Sequence, residues 1–550
     1  MIGLQYETSI FSDTFDQKLL RRMVSETCQS WPDKSLISGS EGDERENAEL
    51  ASQGHMRLDP EICYKAGLSR DRRFDGRFFT GVITTGVYCR PICPVHPPKF
   101  ENVRYFACAA AAEAAGFRPC RRCHPEAAPG TPAWLGSSAV VSRALRLISE
   151  GALDEGGIEA LAVRLGIGAR QLRRLFAEHL GASPGAIARA RRVHFAVKLI
   201  EETTLPITEI AFLAGFSSVR QFNHSVRATF GQSPTVRRRL YGLKEKNSGP
   251  RHPQNGTGLT VRLPYRPPLD WAAALRFLRP RAIPGVEVVE TDCYQRTIEI
   301  GDLAGTIELR SDEAEGSLIM SVQLPSYDGL LQVTERAKRL FDLSADPLQI
   351  TESLRQCPVL RQRVEDSPGL RVPGAWDGFE LAVRVVLGQQ ISVKGATMLA
   401  GRLTKTFGRP LEGDSPAGLT HLFPRPEALA DAELSQIGIP KARATTIRML
   451  ARQIRQGELT LDASQGLPGM VARLCAIPGV GPWTANCIAM RACGETDAFP
   501  ADDLGLRRAL SNGSGLLSAA QLTDAAEAWR PWRAYAAMHL WASLANDDNP

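Results

Sequence analysis

Nowhere in its 550 residues does the chain hold an apolar run approaching the ~18 residues of a membrane-spanning helix. Its opening residues also lack the charged, apolar and small-residue succession of a secretory leader, so a cytoplasmic protein with no membrane partner is expected. Cysteine is scarce, 12 in all, too thin for a disulfide scaffold; a tight cysteine cluster therefore points to metal binding or catalysis. Excess charge is scarce as well, and a net +6 only hints at a polyanionic partner. What is present, 43% hydrophobic and 23% charged residues, is the composition of globular protein, over a length that calls for three or four domains.

Residues 1–55 carry ten acids against five bases without sustained apolar periodicity, and are expected to be a disordered extension. From 57 to 127 the chain turns basic and cysteine-bearing, and ends at the linker-like EAAPGTPAW. Residues 138–241 read as all-helical with an internal repeat. In IEALAVRLGIGARQLRRLF from Ile158 and ITEIAFLAGFSSVRQFNHS from Ile207, a first helix with a central alanine (Ala162, Ala211) reaches a glycine four residues later (Gly166, Gly215), and a second helix carrying Arg-Gln follows. This is helix-turn-helix grammar, written twice. Residues 242–258, GLKEKNSGPRHPQNGTG, read as a flexible linker that lets the two halves move independently. Residues 259–345 combine a helix (LDWAAALRFL), alternating strand-like runs and a closing helix, a small mixed α/β domain. From 346 to 550 the pattern is helical, broken by Gly/Pro turns, and long enough for eight or more helices.

Two close cysteine pairs stand out in the basic segment. Cys89 and Cys93 have three residues between them; after 26 more, Cys120 and Cys123 have two. Such pairs, brought together by a fold, build a tetrahedral four-thiolate zinc site. Spacing alone favours a structural metal, and His96 and His124 read either as surface groups or as neighbours that support the ligands, because four thiolates already saturate the ion. Arg70, Arg72, Arg73, Arg77, Arg90, Arg118, Arg121 and Arg122 nearby are either phosphate contacts or ordinary solvated charge. The stretch FTGVITTGVYCRPICPVHPPKFENVRYFACAAAAEAAGFRPCRRC is similar, motif by motif, to the zinc domain of the Ada family, which senses and repairs methyl phosphotriesters in DNA. That resemblance makes Cys89 both ligand and methyl acceptor, with Cys93, Cys120 and Cys123 as the remaining ligands. Zinc keeps a bound thiol deprotonated, so the sulfur needs no separate base. Four thiolates on one zinc leave a formal charge of minus two. Removing one unit by methylation is worth roughly 3 to 4 kcal/mol at about 4 to 6 Å from a phosphate, before salt screening.

Residues 143–239 hold 15 Lys/Arg against 8 Asp/Glu, so the repeated region is basic too. Recognition helices starting near Arg170 and Val219 would present Arg170, Gln171, Arg173, Arg174, Arg220, Gln221, Asn223 and His224 to base edges. The region resembles the AraC-type DNA-binding module, which also follows the zinc domain in Ada proteins. The Pro-Cys-His-Arg nucleophile motif of longer Ada proteins does not occur here, so direct guanine repair is not expected.

In LCAIPGVGPWTANCIAMRA, from Leu474, the turn Gly479-Val480-Gly481 sits between apolar helical segments, where backbone N–H groups can hold one phosphate, often with a monovalent cation. With DAFPADDLGLRRAL and WRPWRAYAAMHLWASLA this resembles the helix-hairpin-helix DNA glycosylases, and residues 259–550 look like the AlkA family of alkylated-base glycosylases. The resemblance implies that Asp503 stabilises the cationic sugar formed as the N-glycosidic bond breaks, with Asp502 as the neighbouring alternative, whose bland reading is a helix cap. It places Trp483 and Trp541 around the flipped base, Cys487 where AlkA has a pocket tyrosine, and Gln390 where AlkA has a wedge leucine. Trp483 stands where bifunctional relatives have a Schiff-base lysine, and no cysteine follows Cys493; neither lyase chemistry nor an iron–sulfur cluster is expected.

The whole reads as a multi-domain fusion of a small α+β zinc domain, an all-α double helix-turn-helix domain, a small mixed α/β domain and an all-α helix-hairpin-helix glycosylase domain. The expected partners are double-stranded DNA, as methylated backbone, promoter sites and alkylated bases, and RNA polymerase. A monomer in a bacterial, nucleoid-associated setting is expected. The alternative is a transcriptional regulator with structural zinc and a non-catalytic glycosylase-like fold kept for DNA grip; the intact Cys89 and Asp503 speak against it.

Overall fold

The structure, a computed structural model, describes residues 58–123, 125, 139–240, 258–413, 416, 418–511 and 515–547. The readings of residues 1–55, of the linker up to 257 and of His124 lie outside them. Helix α1 (Pro60–Leu68) starts where Asp59 Oδ1 accepts from Glu61 N and Ile62 N, with proline in its first turn. Strands β1 (Phe79–Val82), β2 (Val87–Cys89) and β3 (Val103–Phe106), helix α2 (Ala109–Ala114) and strand β4 (Arg118–Pro119) complete the zinc domain. Its sheet runs β3-β1-β2-β4, with β2 and β4 parallel and Tyr88 opposite Pro119.

Helices α3 (Ala139–Ser149), α4 (Ala152–Glu155), α5 (Ile158–Arg164), α6 (Ala169–Leu180), α7 (Pro184–Glu202), α8 (Ile207–Leu213), α9 (Val219–Phe230) and α10 (Pro234–Leu240) follow. The repeat is real at the residue level: α5–α6 and α8–α9 each turn at a glycine with positive φ, Gly166 at 72° and Gly215 at 80°, a conformation other residues adopt only under strain. The serines of the two Ser-Pro pairs, Ser183 and Ser233, accept from Ala186 N (3.2 Å) and Val236 N (3.4 Å), so α7 and α10 start at equivalent places.

The α/β domain is a five-stranded antiparallel sheet, order β5-β9-β8-β7-β6, from β5 (Leu259–Pro264), β6 (Glu287–Val289), β7 (Cys293–Ile300), β8 (Leu303–Asp312) and β9 (Ser317–Gln323), with α11 (Trp271–Leu278) and α12 (Leu330–Leu340). The sequence reading lacked β5, a six-residue edge strand that ends in proline and draws its register from β9. Eleven helices complete the chain among the described residues: α13 (Pro347–Leu354), α14 (Pro358–Asp366), α15 (Gly378–Leu387), α16 (Val393–Phe407), α17 (Pro426–Leu429), α18 (Lys441–Arg455), α19 (Gly466–Cys475), α20 (Pro482–Arg491), α21 (Leu504–Ala509), α22 (Ala519–Ala526) and α23 (Arg533–Asp547). Among the described residues no helix is long and apolar enough to cross a membrane.

The cores do not respect the boundaries drawn along the chain. Phe79, Tyr88 and Phe106 of the zinc domain share one core with Leu147 of α3 and with Leu161 and Phe176 of the first helical repeat. Phe216 and Phe222 of the second repeat share another with Val261, Leu309 and Phe341 of the α/β domain. Polar contacts also join α3 and the first repeat to the last domain: Arg164 Nη2 lies 2.9 Å from Asp462 Oδ2, and Arg143 Nη1 of α3 donates to Ser464 O (3.1 Å). The expectation of two independently moving halves is thereby corrected; apolar faces that linker composition does not reveal pack them together.

Candidate functional site

Strand pairing assembles the cysteine cluster. Cys89 ends β2; a turn closed by Cys93 N on Arg90 O (3.1 Å) returns Cys93; and Cys120 N donates to Tyr88 O (2.9 Å), which sets the second pair beside the first. The four Sγ atoms all lie within 4.8 Å of one another, Cys93 and Cys120 at 4.0 Å. Ligands about 2.3 Å from a tetrahedral zinc stand about 3.8 Å apart, so the donor set fits and the four cysteines form one zinc site. The backbone N–H groups of Arg90 and Arg122 donate to Cys123 Sγ (3.3 Å) and Cys120 Sγ (3.5 Å), an arrangement that favours negative sulfur. Cys120 and Cys123 are buried, whereas Cys89 and Cys93 are half-buried and form the outward side of the cluster.

The arginines around the cluster are largely engaged by the protein itself. Arg90 donates through Nε to Asp75 Oδ1 (2.8 Å) and through Nη1 to Cys123 O (3.1 Å), which corrects its reading as a phosphate contact or solvated charge. Arg73 grips Asp71 in the same way (Nε to Oδ1, 2.9 Å), and Arg70 bonds Pro94 O (3.1 Å). Arg121 Nη2 lies 3.0 Å from the side-chain amide of Gln232, just past α9, and donates to it with that amide turned to present its oxygen.

In the last domain, three N–H donors converge on Asp503. Its Oδ1 accepts from Leu506 N (3.1 Å), capping α21, and from Trp541 Nε1 (3.0 Å); its Oδ2 accepts from Trp483 Nε1 (2.9 Å). The helix cap read at Asp502 therefore belongs to Asp503, and the Asp502 side chain stands exposed. Trp483 and Trp541 are half-buried, their indole edges fixing the carboxylate while their rings flank it. Cys487, one turn along α20 from Trp483, is buried; burial and then the Asp503 charge push its thiol far above the usual range. Arg281, stacked over Phe277 at 4.0 Å, is brought down to about 10 by burial and the nearby Arg384, with Asp503 opposing.

The hairpin beside this site has one solution for its backbone. Gly479 has φ of 87°, and a Cβ there would lie 2.1 Å from Thr446 Oγ1, which donates to Pro478 O (2.8 Å). Val480 is buried as the anchor, while Gly479 and Gly481 present exposed backbone at the start of α20. Gln390 is exposed and left-handed, with φ of 57°. Its neighbour Gln389 donates to Gly479 O (2.8 Å) and Thr484 Oγ1 (2.9 Å), tying the loop that carries Gln390 to the hairpin. Sequence reasoning missed Gln389 because two adjacent glutamines carry no sign of which turns inward. Of the helix-turn-helix residues, Arg170, Gln171, Arg173 and Arg174 lie exposed along α6, and Arg220, Gln221, Asn223 and His224 along α9. Arg173 also pairs with exposed Glu159 (2.9 Å).

Comparison with known proteins matches four family models in chain order: the metal binding domain of Ada over residues 62–126, a helix-turn-helix domain over 161–239, the AlkA N-terminal domain over 260–377, and the HhH-GPD superfamily base excision DNA repair protein over 383–532. A Mycobacterium tuberculosis protein named "Probable bifunctional transcriptional activator/DNA repair enzyme AlkA" is 44% identical over 494 residues, 90% of this chain and 98% of that relative. DNA-3-methyladenine glycosylase 2 of Escherichia coli is 33% identical over 51% of this chain and 95% of its own. The Escherichia coli bifunctional transcriptional activator/DNA repair enzyme Ada is 34% identical over 31% of this chain and 47% of its own. Identity at this level along nine-tenths of the sequence means that the chain belongs to the family of bifunctional transcriptional activator/DNA repair enzymes of the AlkA type.

Proposed function

We propose that the chain is an alkylation-response protein with two chemistries: it accepts one methyl group from a DNA methyl phosphotriester on Cys89, and it excises alkylated bases of the 3-methyladenine type with Asp503. The observation that carries the enzymatic half is the Asp503 carboxylate, fixed at both oxygens by Trp483, Trp541 and Leu506 N–H groups. A carboxylate so oriented stabilises the positive charge that develops on the sugar as the N-glycosidic bond breaks, and directs the water that captures it. The indole rings face a flipped base from two sides, with Cys487 at the pocket wall, and a cationic alkylated base gains most from that enclosure. Gln390 fills the gap the base leaves. The hairpin Gly479–Gly481 holds a backbone phosphate, aided by a monovalent cation.

For the sensor half, zinc on the four sulfurs supplies thiolates at neutral pH. Cys89 Sγ attacks the methyl carbon, the S–C bond forms, and the methyl O–C bond breaks with its electron pair passing to the phosphate oxygen. The phosphotriester becomes an ordinary diester, and no proton moves. The half-exposed position of Cys89 supports this choice over the buried Cys120 and Cys123. The exposed faces of α6 and α9 then read promoter DNA as a monomer, and RNA polymerase is the partner that activation requires. Release of alkylated purine from duplex DNA by the full chain tests the enzymatic reading: it is expected for the wild type and lost in Asp503→Asn, and equal release by both would overturn it.

A further inference from the structure

The zinc domain and the glycosylase half meet at a buried ionic joint. Asp75, 4% exposed, holds the Arg90 guanidinium beside the four-cysteine cluster. Two residues on, Arg77 leaves the zinc domain, and its Nε lies 3.0 Å from Asp346 Oδ2, with side-chain exposures of 14% and 3%. Asp346 caps α13 by accepting from Gln349 N (3.3 Å). Fully buried Arg266 donates to Ser344 O (3.1 Å) next door; burial draws it down to about 10, opposed by Asp346 and Asp75. At the rim, Arg72 Nη1 donates to Ala314 O (3.1 Å) on the turn between β8 and β9. Charges this dry require one another, because removing one leaves the next buried and uncompensated.

Charges thus alternate across the seam in two observed pairs, Arg90–Asp75 beside the sulfur cluster and Arg77–Asp346 beside Arg266, and Asp75, Arg77 and Asp346 all lie close enough to act on the Arg266 charge. A cavity of about 350 Å³ opens at the same junction, with Phe79, His194, Asp346 and Trp532 in its walls, so the seam has room to tighten. We propose that this series is a coupling joint in which the charge on the four-cysteine cluster sets how firmly the zinc domain is held on the glycosylase half, at the boundary of its α/β and helical domains. The proposal rests on the reading of Cys89 as methyl acceptor. Neutralising one sulfur weakens the hold of the cluster on Arg90, and Arg90 then satisfies Asp75 more completely. Arg77, less drawn to Asp75, pairs more fully with Asp346, and the two halves close. Arg72 and Arg77 are thereby assigned to protein docking rather than to phosphate.

Hydrogen exchange read by mass spectrometry on the full, zinc-loaded chain tests the joint. Asp346→Asn keeps the helix cap and removes the charge; Arg77→Gln removes the opposite charge, and Arg77→Lys retains it. Exchange of segments 71–77 and 312–316 is expected to quicken about tenfold in Asp346→Asn and Arg77→Gln, no further in their combination, and little in Arg77→Lys, with zinc content unchanged. After methylation of Cys89, exchange in 312–316 is expected to slow about threefold in the wild type and not in Asp346→Asn. Wild-type exchange in both single variants would overturn the joint, as would an equal methylation response in Asp346→Asn. If the wild type takes up no methyl group, the functional reading fails together with the methyl dependence, while docking is judged on the charge variants alone.

Discussion

Asp503 carries two loads that the sequence shows only as one acidic pair. Its Oδ1 caps α21 and, with Oδ2, receives two indole N–H groups from positions 20 and 38 residues away. Spacing after the hairpin singled out the pair Asp502-Asp503, and the resemblance to AlkA chose Asp503 within it; the indole donors to its carboxylate were not legible, because contacts between distant helices leave no local pattern. Asn caps a helix about as well as Asp, so Asp503→Asn is expected to keep the melting temperature while base release falls on the order of a hundredfold or more. Trp541→Phe retains the ring and deletes one donor to the carboxylate. A hydrogen bond to a charged group of this kind is worth about 1.5 to 3 kcal/mol, so single-turnover base release is expected to slow about ten- to a hundredfold with an unchanged circular dichroism spectrum. Unchanged release would remove the orienting role of the indole.

At the scale of elements, the repeat was the most legible feature. Helices expected near Arg170 and Val219 begin at Ala169 and Val219, because the turn glycine and the apolar spacing are local signals. Strand β5 was not legible, since an edge strand of six residues takes its identity from the neighbour it pairs with. The hairpin lies between these cases: the glycines were read, but the reason for Gly479 is Thr446, packed against it from α18. Gly479→Ala must both adopt positive φ and displace that hydroxyl, at a cost of about 1 to 3 kcal/mol. DNA affinity measured by fluorescence anisotropy is expected to fall, with the urea midpoint lowered; an Ala variant that binds DNA as the wild type does would show that the hairpin backbone is not the contact.

At the scale of the whole molecule, composition indicated several domains and the structure shows them sharing cores. Nothing in a Gly/Pro/Asn-rich linker announces that Arg164 will meet Asp462. Burial across these packed domains also sets a pH limit. His539, buried in α23, is driven down to about 4 by burial; a hydrogen bond with the Arg363 backbone opposes the shift and the Arg363 charge adds to it. An unfolded imidazole titrates near 6.5, so between about 6.5 and 4 the unfolded chain binds a proton that the folded chain refuses. Stability from this site is whole above pH 6.5 and is lost as pH falls toward 4, by about 3 kcal/mol at most; urea midpoints at pH 7.5 and 4.5, compared with His539→Gln, measure it.

The pairing of a stoichiometric acceptor with a turning-over enzyme in one chain is tested most directly by a single reaction. The full protein is mixed with duplex DNA carrying both a methyl phosphotriester and excess alkylated purine, and the peptides and the free bases are measured by mass spectrometry. The peptide containing Cys89 is expected to gain one methyl group, about 14 Da, once per chain, while bases accumulate in molar excess over protein. An unmodified Cys89 peptide, or a methyl group found instead on Cys93, Cys120 or Cys123, would contradict it.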